Sequence, residues 1–209
     1  MPEQPEHRPM PNAALRVLLE AIEDVMGPNG TKAVLNAGGL SKYIDNYPPK
    51  NLEMGASFAE YGGVQQSVED FYGPRGARAM LLRIGRATFE FGLREQPAIL
   101  GLAGVALKAL PEKTRMKLIL DRMAKAAVEQ VNQPTNVMEE DDAFYFVVEE
   151  CPCRWRPSHD KPACYVTVGV LMQAMAWITG KLHRVEEVAC ISSGASSCVY
   201  RIEKKATEE

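Results

Sequence analysis

No stretch of this 209-residue chain approaches the roughly 18 consecutive apolar residues that a membrane-spanning helix needs. Excess positive charge is missing too: 24 Lys and Arg stand against 27 Asp and Glu, for a net charge of −3. Nucleic acid, usually met by a basic face or stripe, therefore has no electrostatic case. The segment Met1–Pro11 is rich in Pro and Glu but lacks the apolar core of a signal peptide, so it reads as a flexible tail. A cytoplasmic, reducing address is expected, where the five cysteines serve as thiols or ligands and not as disulfides. Nucleotide and hydrolase signatures are also missing. Gly27-Pro28-Asn29-Gly30-Thr31-Lys32 has too few residues between its glycines for a phosphate loop. No GxGxxG follows a strand, and no HExxH or Ser-His-Asp arrangement occurs. His7 lies in the tail, and His159 or His183 alone is a poor basis for a haem ligand. Autonomous catalysis is thus not expected.

What is present is an ordinary globular composition, 46% hydrophobic and 24% charged, sufficient for one domain over 12–205. Residues 12–26 carry Leu15, Leu18, Leu19, Ile22, Val25 and Met26 at helical spacing, stopped by Gly27-Pro28-Asn29-Gly30. Thr31 is expected to cap a short second helix over Lys32–Asn36. Pro74–Gly92 is the clearest helix, with Ala77, Met80, Leu81, Ile84, Thr88 and Phe91 on one side and four arginines opposite. Helices over Pro97–Leu110 and Glu112–Val131 complete a mainly helical part, 12–131.

Beyond 132 the texture changes. Val137–Glu140 and Ala143–Val148 flank Asp141-Asp142 as a hairpin, and a helix runs from about Cys164 to Thr179, stopped by Gly180. A second hairpin, Arg184–Ile191 and Ser197–Glu203, turns at Ser192-Ser193-Gly194. The expected architecture is α+β: N-terminal helices, then a ββαββ unit over 132–205 with a four-stranded antiparallel sheet packed against helices.

Cys164, Cys190 and Cys198, with a carboxylate at Glu186 or Glu187, would meet where the second hairpin packs on the helix. Thiolates with one harder oxygen suit tetrahedral zinc, although buried free thiols are equally common. Strand parity favours Glu186, since Glu187 lies three residues from Cys190 and needs a bulge to face it. Cys151 and Cys153, with His159 nearby, are expected to be loop thiols near the site, because Cys-x-Cys has a strained bite on one tetrahedral ion.

The stretches Cys164–Leu171 and Val185–Ile202 resemble the four-vinyl reductase domain family, with a close match from Cys151 to Ile202. Leu35–Leu40 and Tyr72–Arg78 are similar to its stand-alone members. The family's usual Gly-Asp before the last cysteine is replaced by Gly194-Ala195-Ser196. In phenol-sensing members a cysteine, glutamate, cysteine, cysteine pattern binds zinc, and it falls on Cys164, Glu187, Cys190 and Cys198. The resemblance implies a closed structural zinc site and a small apolar cavity above the sheet beside it. It also implies a fold similar to NO-signalling domains and to vesicle-trafficking subunits that dimerise. The leading expectation is a homodimeric binding domain for a small hydrophobic or aromatic molecule. The alternatives are an accessory protein or enzyme of tetrapyrrole vinyl reduction, and a dimeric interaction scaffold.

For the ligand, Phe144, Phe146, Trp155 and Trp177 could form aromatic walls, and Arg75 and Arg78 could hold an anionic tail. For each, core packing or a solvated face is the plainer role. Leu82 and Phe89 share the arginine face, which points to a ligand or a dimer contact there.

Overall fold

The computed structural model describes residues 8–95 and 109–207. Its elements run β1 (Pro9–Met10), α1 (Asn12–Ala37), β2 (Ala56–Ser57), α2 (Phe58–Glu95), α3 (Glu112–Val131), β3 (Thr135–Glu139) and β4 (Ala143–Val148). They continue with α4 (Tyr165–Thr179), β5 (His183–Ala189) and β6 (Cys198–Ala206). The helix expected over Pro97–Leu110 lies largely outside the described residues.

Helices α1 and α2 are each broken once, at Gly27 (φ 74°) and Gly73 (φ 68°), and each break is followed by a proline. A positive φ that glycine tolerates ends one helix, and proline, which needs no partner for its nitrogen, starts the next. The first arm of α1 buries Leu15, Leu18, Leu19 and Ile22. Thr31 is not a cap: its hydroxyl donates back to the Gly27 carbonyl at 3.0 Å. The arm of α2 before Pro74, from Phe58 onward, is helix that the sequence patterning did not disclose.

Strands β3–β6 form an antiparallel sheet of order β3-β4-β6-β5, so β4 and β6 from different hairpins pair in its middle. Phe144, Phe146 and Val148 on β4 share their buried face with Cys198, Tyr200 and Ile202 on β6. Met116, Ile119, Leu120 and Ala124 of α3 close over the same core. Cys164 caps the start of α4, and Gly180 ends it in the left-handed conformation.

Helix α4 joins this core to the helical one. Its Gly169 meets Gly85 of α2 so closely that a Cβ on Gly85 would lie 2.1 Å from the Val166 carbonyl oxygen, and one on Gly169 2.3 Å from that of Leu82. Backbone contact at that range admits only glycine. The crossing also accounts for the apolar residues on the arginine face. Phe89 is buried with its ring 6.2 Å from that of Trp177 on α4, and Leu82 packs on the sheet-side core. Both therefore pack within the chain, against α4 and the sheet-side core. No described helix is long and apolar enough to cross a membrane.

Candidate metal centre and adjoining cavity

Five cysteines, all free and buried, converge where the start of α4, the loop after β4 and the β5–β6 turn meet. Sγ of Cys164 stands 3.6 Å from Cys190 and 4.0 Å from Cys198, and Cys190 and Cys198 are 3.8 Å apart. Two thiolates on one tetrahedral ion, with bonds of about 2.3 Å, stand roughly 3.8 Å apart. The triangle therefore already has the dimensions of a mononuclear site.

Glu187 joins this triangle, its carboxylate within 4.8 Å of all three sulfurs. The β5–β6 register shifts between Glu187 and Ala189, a bulge that turns Glu187 to the cysteine side. Glu186 stays exposed and pairs with Arg184 at 2.5 Å. One Glu187 oxygen accepts the Cys164 backbone N–H at 2.7 Å, and the other is buried without a partner. An unpartnered buried carboxylate oxygen beside three sulfurs is costly in the bare protein, and a cation would satisfy it. Burial above all, then the charge of Cys190, pushes the Glu187 carboxyl up to about 8. The residues thus fit a divalent ion that lets the group ionise together.

Cys151 and Cys153 belong to the same cluster, in a short helical turn of Pro152–Trp155. Cys153 lies 3.3 Å from Cys198 and 3.8 Å from Cys190, while Cys151 lies 3.8 Å from Cys164. Cys151, Cys153, Cys164 and Cys198 form a second set with all sulfurs within 4.8 Å. The strained bite of a Cys-x-Cys pair concerns both thiols on one ion; it does not keep either from the site. Hydrogen bonds from neighbouring thiols, led by Cys151, hold Cys153 far below the usual thiol range. The backbone N–H of Ile191 points at Cys198 Sγ at 3.4 Å. Tyr200, fully buried on β6, brings a hydroxyl without a partner to the same core.

His159 is drawn into a different construction. The Arg156 side chain, 1% exposed, donates to Glu69 at 2.5 Å, to Gln66 at 3.1 Å and to the Ala163 carbonyl at 3.1 Å. His159 lies 3.3 Å from Glu69, and its backbone N–H donates to Ser192. This buried cluster ties α2 to the loop that precedes Cys164.

Beside the thiols, the described residues leave a cavity of 330 Å³, bounded by β1–α1, α2, α3 and α4. Its walls are mostly apolar, among them Ala14, Val17, Phe89, Met123 and Val170, with Tyr61, Thr88, Glu95, Gln130 and Gln133 as polar points. Pro152, between Cys151 and Cys153, and Thr167, one turn into α4 from Cys164, also line it. The cavity lies among helices and not above the sheet. None of the six residues selected from sequence lines it. Phe144 and Phe146 are core, Trp155 packs on Phe58, Trp177 covers Phe89, Arg75 is exposed, and Arg78 lies over the Tyr165 ring. The described lining of this cavity comes from separate segments with no common motif, so no local signal marked it.

The four-vinyl reductase domain model matches the part of the chain that carries β4, α4, β5 and β6. The match covers residues 144–204. No curated protein sequence matches the chain. Among solved structures, an oxygen-binding H-NOX domain related to soluble guanylate cyclases is similar at a TM-score of 0.59 and 15% identity, covering 96% of this chain and 98% of its own. An H-NOX protein from S. oneidensis in the Fe(II)NO state reaches 0.57 at 14% identity, with 92% and 99% covered. The phenol-responsive sensory domain of the transcription activator PoxR, with phenol, reaches 0.52 at 14% identity, with 70% and 73% covered. The fold of this chain is therefore that of the H-NOX and PoxR sensory domains. Haem, named for H-NOX neighbours, meets no imidazole in this cavity: His159 and His183, the described histidines, stand outside it.

Proposed function

We propose that the chain is a zinc-stabilised binding domain for a small hydrophobic or aromatic molecule, serving as a sensor or carrier. One observation carries this reading: three thiols and a carboxylate with an unpartnered oxygen cluster beside a mostly apolar cavity, whose wall includes Pro152, next to Cys153, and Thr167, one turn from Cys164. At 330 Å³ the cavity falls at the small end of the range for ligand sites, which suits a single-ring molecule. Cys164, Cys190 and Cys198, with Glu187 through its free oxygen, would hold the ion. Four protein ligands close the shell, so zinc here organises structure. The ion would tie α4 to the β5–β6 hairpin and so hold one wall of the cavity in place.

The test combines metal analysis, native mass spectrometry and melting of the intact chain. Expected are one zinc per chain, a lower melting temperature after chelation or in Cys198→Ser, and phenol binding that Ala127→Phe abolishes without loss of zinc. Melting unchanged by complete metal removal would refute the structural role. Phenol binding that survives a filled cavity would refute the ligand site.

A further inference from the structure

We propose that Cys153 is a second fourth ligand for the ion, so that the Cys164–Cys190–Cys198 triangle can be completed either by Glu187 or by an all-thiolate set. This rests on the metal reading above and extends it to a residue outside the cysteine, glutamate, cysteine, cysteine pattern.

The distances support it. Cys153 Sγ is 3.3 Å from Cys198 and 3.8 Å from Cys190, and it lies within 4.8 Å of Cys164. Cys153, Cys164, Cys190 and Cys198 thus approach the edge lengths of one tetrahedron, roughly 3.8 Å for bonds of about 2.3 Å. Because Cys151 need not bind the same ion, the strained Cys-x-Cys bite does not arise. Cys151, 3.8 Å from Cys164, is left as a thiol that can donate to a bound thiolate. Glu187 has other work when released, since its second oxygen accepts the Cys164 N–H at 2.7 Å and so satisfies an amide at the start of α4.

Placement gives the alternative its consequence. Pro152 both joins the two extra thiols and lines the cavity, and the Pro152 carbonyl rests on Gly62 of α2, where a Cβ would come within 2.5 Å of it. The position of Cys153 is therefore set from the cavity side, whereas that of Glu187 is set by the sheet.

Cobalt(II) titration of the full chain under reducing conditions tests the idea, because sulfur-to-cobalt charge-transfer absorbance grows with the number of bound thiolates. Cys153→Ser and Glu187→Gln should each keep cobalt within about tenfold of the parent, while the double variant loses more than about 100-fold, the signature of coupled sites. Absorbance per bound ion should be at least the parent's in Glu187→Gln and lower in Cys153→Ser, with circular dichroism and Cys153→Ala confirming that the fold persists. Cys153 variants that change neither affinity nor absorbance in either background would overturn the proposal. So would Glu187→Gln that loses cobalt as fully as the double variant. A parent chain that binds no cobalt at all would instead overturn the metal reading itself, and this one with it.

Discussion

Replacing Arg156 by Met removes one side of a buried ion pair whose partner cannot follow it into water. The Arg156 side chain is 1% exposed and that of Glu69 12%, and the pair is 2.5 Å apart. Methionine fills similar space but leaves the Glu69 carboxylate with His159, at 3.3 Å, as its remaining ion-pair partner among the described residues. It also strands Gln66 and the Ala163 carbonyl, each 3.1 Å from the guanidinium. Breaking a buried pair in this way costs about 3–5 kcal/mol. For a chain of this length each kcal/mol moves the melting temperature by about 2–4 °C, so a fall of roughly 6–20 °C is expected. Adding Glu69→Gln should recover part of the loss, because the uncompensated charge is then gone. The Ala163 carbonyl immediately precedes Cys164, so the single variant should also weaken metal binding by about 10–100-fold, as disturbed support of metal ligands does. Thermal melts and cobalt titrations of the two variants check both. A single variant melting within about 2 °C of the parent, or a double variant with strictly additive loss, would refute the reasoning.

Gly85→Ala should cost about 1–3 kcal/mol, because a Cβ 2.1 Å from the Val166 carbonyl forces α2 and α4 apart; urea melts would show it, and unchanged stability would refute the glycine contact. In metal-free protein, Glu187 has a folded pKa near 8, raised first by burial. Its protonated form is the one the fold accommodates, so its contribution is intact below the unfolded carboxyl range and declines as pH rises through 8. Glu187→Gln should therefore match the parent near pH 5 and exceed it near pH 8 in chelated samples; a pH-independent difference would refute that assignment.

Much of the second half of the fold was legible because its signals are local. The β-rich run Ala143–Val148, the glycine stop at Gly180 and the turn at Ser192–Gly194 each depend on neighbours within a few residues, and the strands and helix stand where those signals put them. Less was legible before residue 74. The arm from Phe58 to Tyr72 contains Gly62 and Gly63, poor helix formers by propensity. Gly62 stands where the Pro152 carbonyl would clash with a Cβ. Packing requires it, and propensity alone would discourage helix there.

The donor set divides in the same way. Cys164, Cys190 and Cys198 were marked by spacing in the chain, and so was the need for a bulge if Glu187 was to reach them. That β5 makes this bulge, that Cys153 comes within 3.3 Å of Cys198, and that Pro152 walls a cavity were decided only by tertiary structure. The sequence by itself determined which residue types can bind an ion and which segments are helix or strand, since side-chain chemistry and backbone periodicity are local properties. Which of six donors share one point in space, and which apolar residues face a cavity and not a core, depends on how α2 and α4 cross at Gly85 and Gly169, a contact between residues 84 positions apart.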